Sequence, residues 1–192
     1  MKTMGAKNTA DSRRVRGPML AAVMLVAAFM GAPRLAGQDT WSKWNYGLQL
    51  GALIPTGEKL KTVGESGVGL GGYAEITWSN GWALRGRGEY TAFGEKSFGS
   101  GVKTNVTQIG GMLDVIYYSR DSNLYPFVGV GYFSRSFKLN VGEFNAPMAV
   151  PSSPAMSIGG GWNFTNHLGL EVKYSFSTDD MPWVQASFLY RF

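Results

Sequence analysis

Residues 183–192 read Trp-Val-Gln-Ala-Ser-Phe-Leu-Tyr-Arg-Phe, and their odd and even positions separate into two chemistries. Val184, Ala186, Phe188, Tyr190 and Phe192 share one side of a period-two pattern, while Trp183, Gln185, Ser187, Leu189 and Arg191 share the other. Successive side chains alternate across a β-strand, so this stretch predicts a strand with two unlike faces. A face of Phe, Tyr and Phe backed by Gln, Ser and Arg suits a wall between hydrocarbon and a polar interior.

Working back from that strand, seven more segments alternate in the same way: about 44–54, 67–78, 82–93, 105–118, 124–137, 155–164 and 168–176. Ser79-Asn80-Gly81 between the second and third is a strong hairpin signal. Connections after the second, fourth and sixth segments are tight, whereas Pro55–Ser66, Gly94–Thr104 and Lys138–Pro154 are long. Short turns at one end and longer loops at the other, with an even strand count, predict an all-β fold: an eight-stranded antiparallel up-and-down transmembrane barrel. The link at Ser177–Pro182 is short for a loop at the long-loop end.

The alternation also sorts the charges. Glu75, Arg85, Arg87, Glu89, Asp114, Arg135, Glu171, Lys173 and Arg191 all fall opposite the apolar face. An arginine facing lipid at mid-membrane costs about 2–4 kcal/mol, so these nine are expected inside, as a paired network. An eight-stranded lumen is barely wide enough for side chains. A secreted soluble barrel with an internal ligand would need the reverse arrangement, polar outside and apolar inside. Trp44, Trp78, Trp82, Tyr117 and Trp162 fall near strand ends on the apolar side and are expected to form an interfacial aromatic girdle.

The first residues have a different character. Lys2, Lys7, Arg13, Arg14 and Arg16 precede the apolar block 18–30, and small residues follow near Leu35-Ala36-Gly37. This predicts a cleaved signal peptide over 1–37, leaving 38–192 as one barrel domain. The block is too short for a spanning helix, which needs about 20 residues. Residues 1–37 hold six of the 18 basic residues and one of the 13 acids, so the remainder is neutral despite a formal net charge of +5 for the whole chain. A neutral mature chain removes the electrostatic case for a nucleic-acid partner. There is no cysteine, hence no disulfide framework and no thiolate metal site.

The export segment, the eight alternating strands and the terminal Phe188-Leu189-Tyr190-Arg191-Phe192 together resemble the OmpA/OmpX-type small outer-membrane β-barrel superfamily. The resemblance implies a monomer in the bacterial outer membrane, in contact with its lipid and lipopolysaccharide. It also implies that Phe188, Tyr190 and Phe192 serve as the signal read by the barrel-assembly machinery. The roles it implies are envelope integrity, adhesion or host interaction.

No catalytic, cofactor or metal site is expected. His167, the one histidine, falls in a predicted turn at the end opposite the one where a lipid-modifying barrel enzyme would act. Asp179-Asp180 offers too few oxygens for calcium and reads as a solvated turn. The third long loop, with Phe144, Met148 and Val150, is unusually apolar and reads equally as a partner-binding loop or as a lid over the barrel mouth. The sequence thus predicts a non-enzymatic structural or interaction barrel. A narrow channel, or a conduit for a small hydrophobic ligand, is the alternative.

Overall fold

The computed structural model describes residues 42–99, 101–119, 121–141 and 144–192. The expected export segment, 1–37, lies outside them, as do the side chains of Phe144, Met148 and Val150. In chain order the elements are β1 (Ser42–Pro55), α1 (Glu58–Val63), β2 (Glu65–Trp78), β3 (Trp82–Gly94), β4 (Lys96–Phe98), β5 (Val102–Tyr117), β6 (Leu124–Val141), β7 (Phe144–Asn163), β8 (Leu168–Ser177) and β9 (Trp183–Arg191).

Every strand pairs antiparallel with its neighbours in the order β3-β2-β1-β9-β8-β7-β6-β5, and β3 closes the ring against β5. β4 continues the line of β3 along the tip of β5, with Lys96 opposite Thr104, so the closed barrel has eight staves. The stretch at 183–192 is its seam: Phe188 of β9 lies opposite Leu50 of β1 on one side and Leu170 of β8 on the other. Closure leaves the membrane-height staves without an open edge, so their backbone ladders run between strands all round, the condition for spanning hydrocarbon with β-structure.

Side-chain placement follows the alternation. Leu50 and Phe188 are each 63% exposed on the outer wall, whereas Glu75 and Arg85 are wholly buried inside. An apolar outer wall in contact with water would be a large aggregation-prone patch; surrounded by lipid it is solvated. At the turn end, Gly81 adopts φ +89° and its carbonyl accepts the Tyr118 N–H at 2.7 Å, so this Asn-Gly turn also ties two hairpins together.

The long-loop end departs from the sequence expectation in three places. The third long loop is largely strand: β6 runs to Val141 and β7 starts at Phe144, pairing Val141 with Phe144 across the reversal. A register shift between Phe133 and Arg135 sets two residues of β7 against one of β6 and interrupts the period that would have marked the strand. The second long loop is likewise a hairpin extension, formed by β4 and the start of β5.

The first long loop contains α1, and α1 covers the mouth. Leu60, on this short helix, is fully buried. The Thr56 and Gly57 N–H groups both donate to the Pro182 carbonyl, at 3.0 and 3.2 Å, and the Thr104 hydroxyl donates to the Val63 carbonyl at 2.7 Å. The first long loop therefore acts as a lid through α1.

Candidate functional site

The barrel interior is built in two tiers. Toward the turn end, Arg85 donates from Nε to Glu75 at 2.8 Å, from Nη1 to Glu171 and from Nη2 to the Tyr118 hydroxyl at 3.0 Å. Arg87 donates to Glu171 at 3.0 Å and to Gln49 at 3.2 Å, and pairs with Asp114. Lys173 pairs with Glu89, which also accepts from Gln49 at 2.6 Å. Tyr118 and Tyr125 donate their hydroxyls to Glu75 and Glu171, each at 2.9 Å. Arg191, at the rim, comes within 3.8 Å of Glu75. Ions removed from water in this way are tolerable only when paired, and each of these faces an opposite charge, although Arg87 Nη2, Glu89 Oε2, Asp114 Oδ1 and Arg191 Nε make no hydrogen bond.

Glycines make the space. Gly161 on β7 faces Tyr125 on β6, and a Cβ there would overlap the phenol ring. Gly110 on β5 accommodates the Phe133 ring in the same manner. Inward aromatics thus lie across glycine on the neighbouring strand.

Toward the loop end the interior becomes apolar. Leu53, Leu60, Phe93, Val106, Met112, Phe133, Phe137, Ala155 and Trp183 form one buried cluster. Trp183 meets Phe133 edge-on, with centroids 5.4 Å apart. The expectation of an interior filled by charge accounts for the lower tier alone. The alternation does not separate this upper tier from the lower one, because Trp183 and Phe93 stand in line with inward polar residues such as Gln185 and Thr91 on the same strands.

Arg135 stands apart from the network, beside this upper tier. It donates from Nε to Gln108 at 2.8 Å and from Nη2 to Ser177 at 3.1 Å, pairs through Nη1 with Asp179, and lies 5.5 Å from the Trp183 ring centroid. Asp179, read from the sequence as part of a solvated turn, points inward. Burial pushes its carboxyl up, but the Ser177 hydroxyl and the Arg135 guanidinium outweigh this and hold it below the ordinary value. Asp179 brings the interior to five acids and five bases.

The remaining expected positions lie on the outside. Trp44, Tyr117 and Trp162 are exposed and Trp78 and Trp82 half-buried, with Trp82 5.0 Å from Tyr117. Phe188, Tyr190 and Phe192 are exposed along β9 and its end. His167 is exposed at the turn end, its Nδ1 2.9 Å from the Arg191 carbonyl oxygen. Among the described residues no cluster of three His, Cys, Asp or Glu side chains is placed to hold a metal.

A closed eight-stave barrel with an apolar outside and a paired, buried inside defines a small membrane barrel, and sequence comparison agrees. The model of the outer membrane protein beta-barrel domain matches residues 21–150, and the chain belongs to that family. No curated protein sequence matches the chain. Among solved structures, it is similar to Ail, the attachment invasion locus protein of Yersinia pestis, in complex with the heparin analogue sucrose octasulfate. The TM-score is 0.55 at 14% identity, covering 81% of this chain and all of that one. A major outer membrane protein of Thermus thermophilus gives 0.54 at 13% identity, covering 78% of this chain and all of that one. At such identities the likeness is one of fold.

Proposed function

We propose that the protein is a non-catalytic integral barrel of the bacterial outer membrane, exported by a signal peptide at 1–37. Its long-loop end faces outward, and it acts through its outer surface in envelope integrity or adhesion. The observation that carries this reading is the filled interior, with a cross-bonded ionic tier below and an apolar tier stoppered by Leu60 above. Ions moving along the axis would have to break buried pairs and then cross hydrocarbon-like packing. Reconstitution in planar bilayers tests it: near-zero single-channel conductance is expected, and a steady ohmic conductance would refute it. Membrane fractionation with heat-modifiable gel migration tests the location.

A second reading, a conduit for a small hydrophobic ligand, is favoured by one observation: the packing beneath α1 is apolar and its lid residue is a leucine. A fluorescent apolar probe quenching Trp183 in the folded protein would support that reading, and an unaltered Trp183 signal would remove it.

A further inference from the structure

The turn between β8 and β9, residues 178–182, clasps the lid. Lys59 of α1 donates to the Asp179 carbonyl at 3.4 Å and lies 3.5 Å from the Asp180 carboxylate. The Pro182 carbonyl accepts the Thr56 and Gly57 N–H groups, and the approach is so close that a Cβ on Gly57 would lie 2.4 Å from Pro182 Cδ. The turn is tight, with Asp180 in the left-handed region at φ 61°, where a short polar side chain is tolerated. Between these two anchors stands Met181, half-buried and packed against the apolar tier that contains Leu60 and Trp183.

The other methionines with described side chains have different surroundings. Met112 is buried inside the barrel, and Met156 belongs to the outward set of β7, opposite Val130 on one side and Phe176 on the other. Of the three, Met181 is the one that meets water at the barrel mouth. A thioether suits its position because it is apolar and flexible enough to fill an irregular gap. The corresponding sulfoxide is polar, and burying it against hydrocarbon without a hydrogen bond is unfavourable, so the oxidised side chain turns out to water. Its immediate neighbours in the chain are Asp180 and Pro182, so this movement disturbs both anchors of the lid.

We infer that Met181 is a redox-modification site, at which oxidation to the sulfoxide by a peroxide or a hypohalous acid releases α1 from the barrel mouth. With peroxide the step balances as it stands: a sulfur lone pair attacks one oxygen, the O–O bond breaks, the S–O bond forms and water leaves. Sulfur gives up two electrons and the peroxide takes them. A methionine sulfoxide reductase returns the thioether, so the release is reversible. Little else retains α1, which has six residues, one buried side chain in Leu60, and the Thr104 hydroxyl on the Val63 carbonyl at its far end. The inference needs only the folded barrel and does not depend on the location or role proposed above.

The test treats the folded full-length barrel in detergent micelles with hydrogen peroxide and maps oxygen addition by peptide mass spectrometry. Tryptic cleavage after Lys59 and Lys61 is followed in parallel, because a closed α1 protects both sites. Met181 is expected to gain one oxygen at least about fivefold faster than Met112 and Met156, since reactivity follows exposure. Cleavage within α1 should then accelerate about tenfold, in step with the population of the open lid, and return to its starting rate after treatment with the reductase. Met181→Leu keeps an apolar side chain of similar volume and should be cut slowly with or without peroxide, whereas Met181→Gln should be cut rapidly without it. Met148→Leu should respond as the parent does. Cleavage unaltered by oxidation of Met181, equal acceleration in Met181→Leu, or oxidation of Met112 and Met156 as fast as that of Met181 would each overturn the inference. Heat-modifiable migration is expected to stay the same throughout; its loss on oxidation would also overturn the inference, because the whole barrel and not the lid would then depend on the thioether.

Discussion

Arg135 on β6 and Asp179, beyond the end of β8, are 44 residues apart in sequence and joined at the barrel's loop end, where the Arg135 side chain is almost wholly buried. Removing one partner of a buried pair strands the other, at a cost of about 3–5 kcal/mol. Asp179→Asn should therefore lower the urea midpoint of barrel unfolding, read from the fraction of folded, fast-migrating band. An unchanged midpoint would show that Arg135 is sufficiently satisfied by Gln108 and Ser177.

The same pair sets a pH dependence. The Asp179 carboxyl is lowered from its ordinary 3.8 in the folded state, so folding retains its contribution above that value and loses it as pH falls through the lower folded value. Parent and Asp179→Asn should differ in stability at pH 6, and the gap should shrink in acid below about pH 4. A gap that stays constant down to pH 2 would contradict the assignment.

In the lower tier, Arg85 bridges two carboxylates from strands on different sides of the barrel. Arg85→Met leaves Glu75 and Glu171 facing each other with one fewer cation, and should cost at least as much as Asp179→Asn, again about 3–5 kcal/mol. Glu75→Gln added to Arg85→Met should recover part of it, because the loss stems from uncompensated charge. A double variant no more stable than the single would locate the cost in packing instead.

Gly161→Val addresses the close approach of Tyr125. The new side chain would occupy the position of the phenol ring, displacing the hydroxyl that donates to Glu171 at 2.9 Å. Overpacking of this kind costs about 1–3 kcal/mol. Pairing Gly161→Val with Tyr125→Ala should restore folding yield toward that of Tyr125→Ala alone, and failure to do so would mean that the glycine serves the backbone.

These positions also mark how far the sequence could be read. The staves, their faces and the nine inward charges follow from a period of two, which depends on nothing beyond the pleat. The lid did not follow, because a helix of six residues has too few positions to display a period, and Leu60 is its one buried residue. Asp179 was hidden for a different reason: its partner is set by barrel closure, which brings Arg135 to it across a long stretch of chain. The tip of β7 was obscured by its bulge and by three prolines.

Those prolines carry the last prediction. β7 pairs with β8 only from Ala155, opposite Ser177, so residues 144–153 of β7 have β6 on one side and no strand among the described residues on the other. An open, hydrogen-bonding edge invites a second strand, and natural sheets blunt such edges with residues that cannot donate. Pro147 and Pro154 stand in the pairing with β6, opposite Lys138 and Tyr132, and Pro151 sits at the register shift between them. Because the ladder to β6 continues past Pro147, the missing donor belongs on the open side; at Pro154 the carbonyl on that side already accepts the Thr178 N–H at 3.1 Å. Pro147→Val with Pro151→Val should restore two donors to the edge and shift the detergent-solubilised barrel from monomer toward dimer on light-scattering chromatography, more at higher protein concentration. A double variant that stays monomeric at every loading would mean that the edge is covered by something other than its prolines.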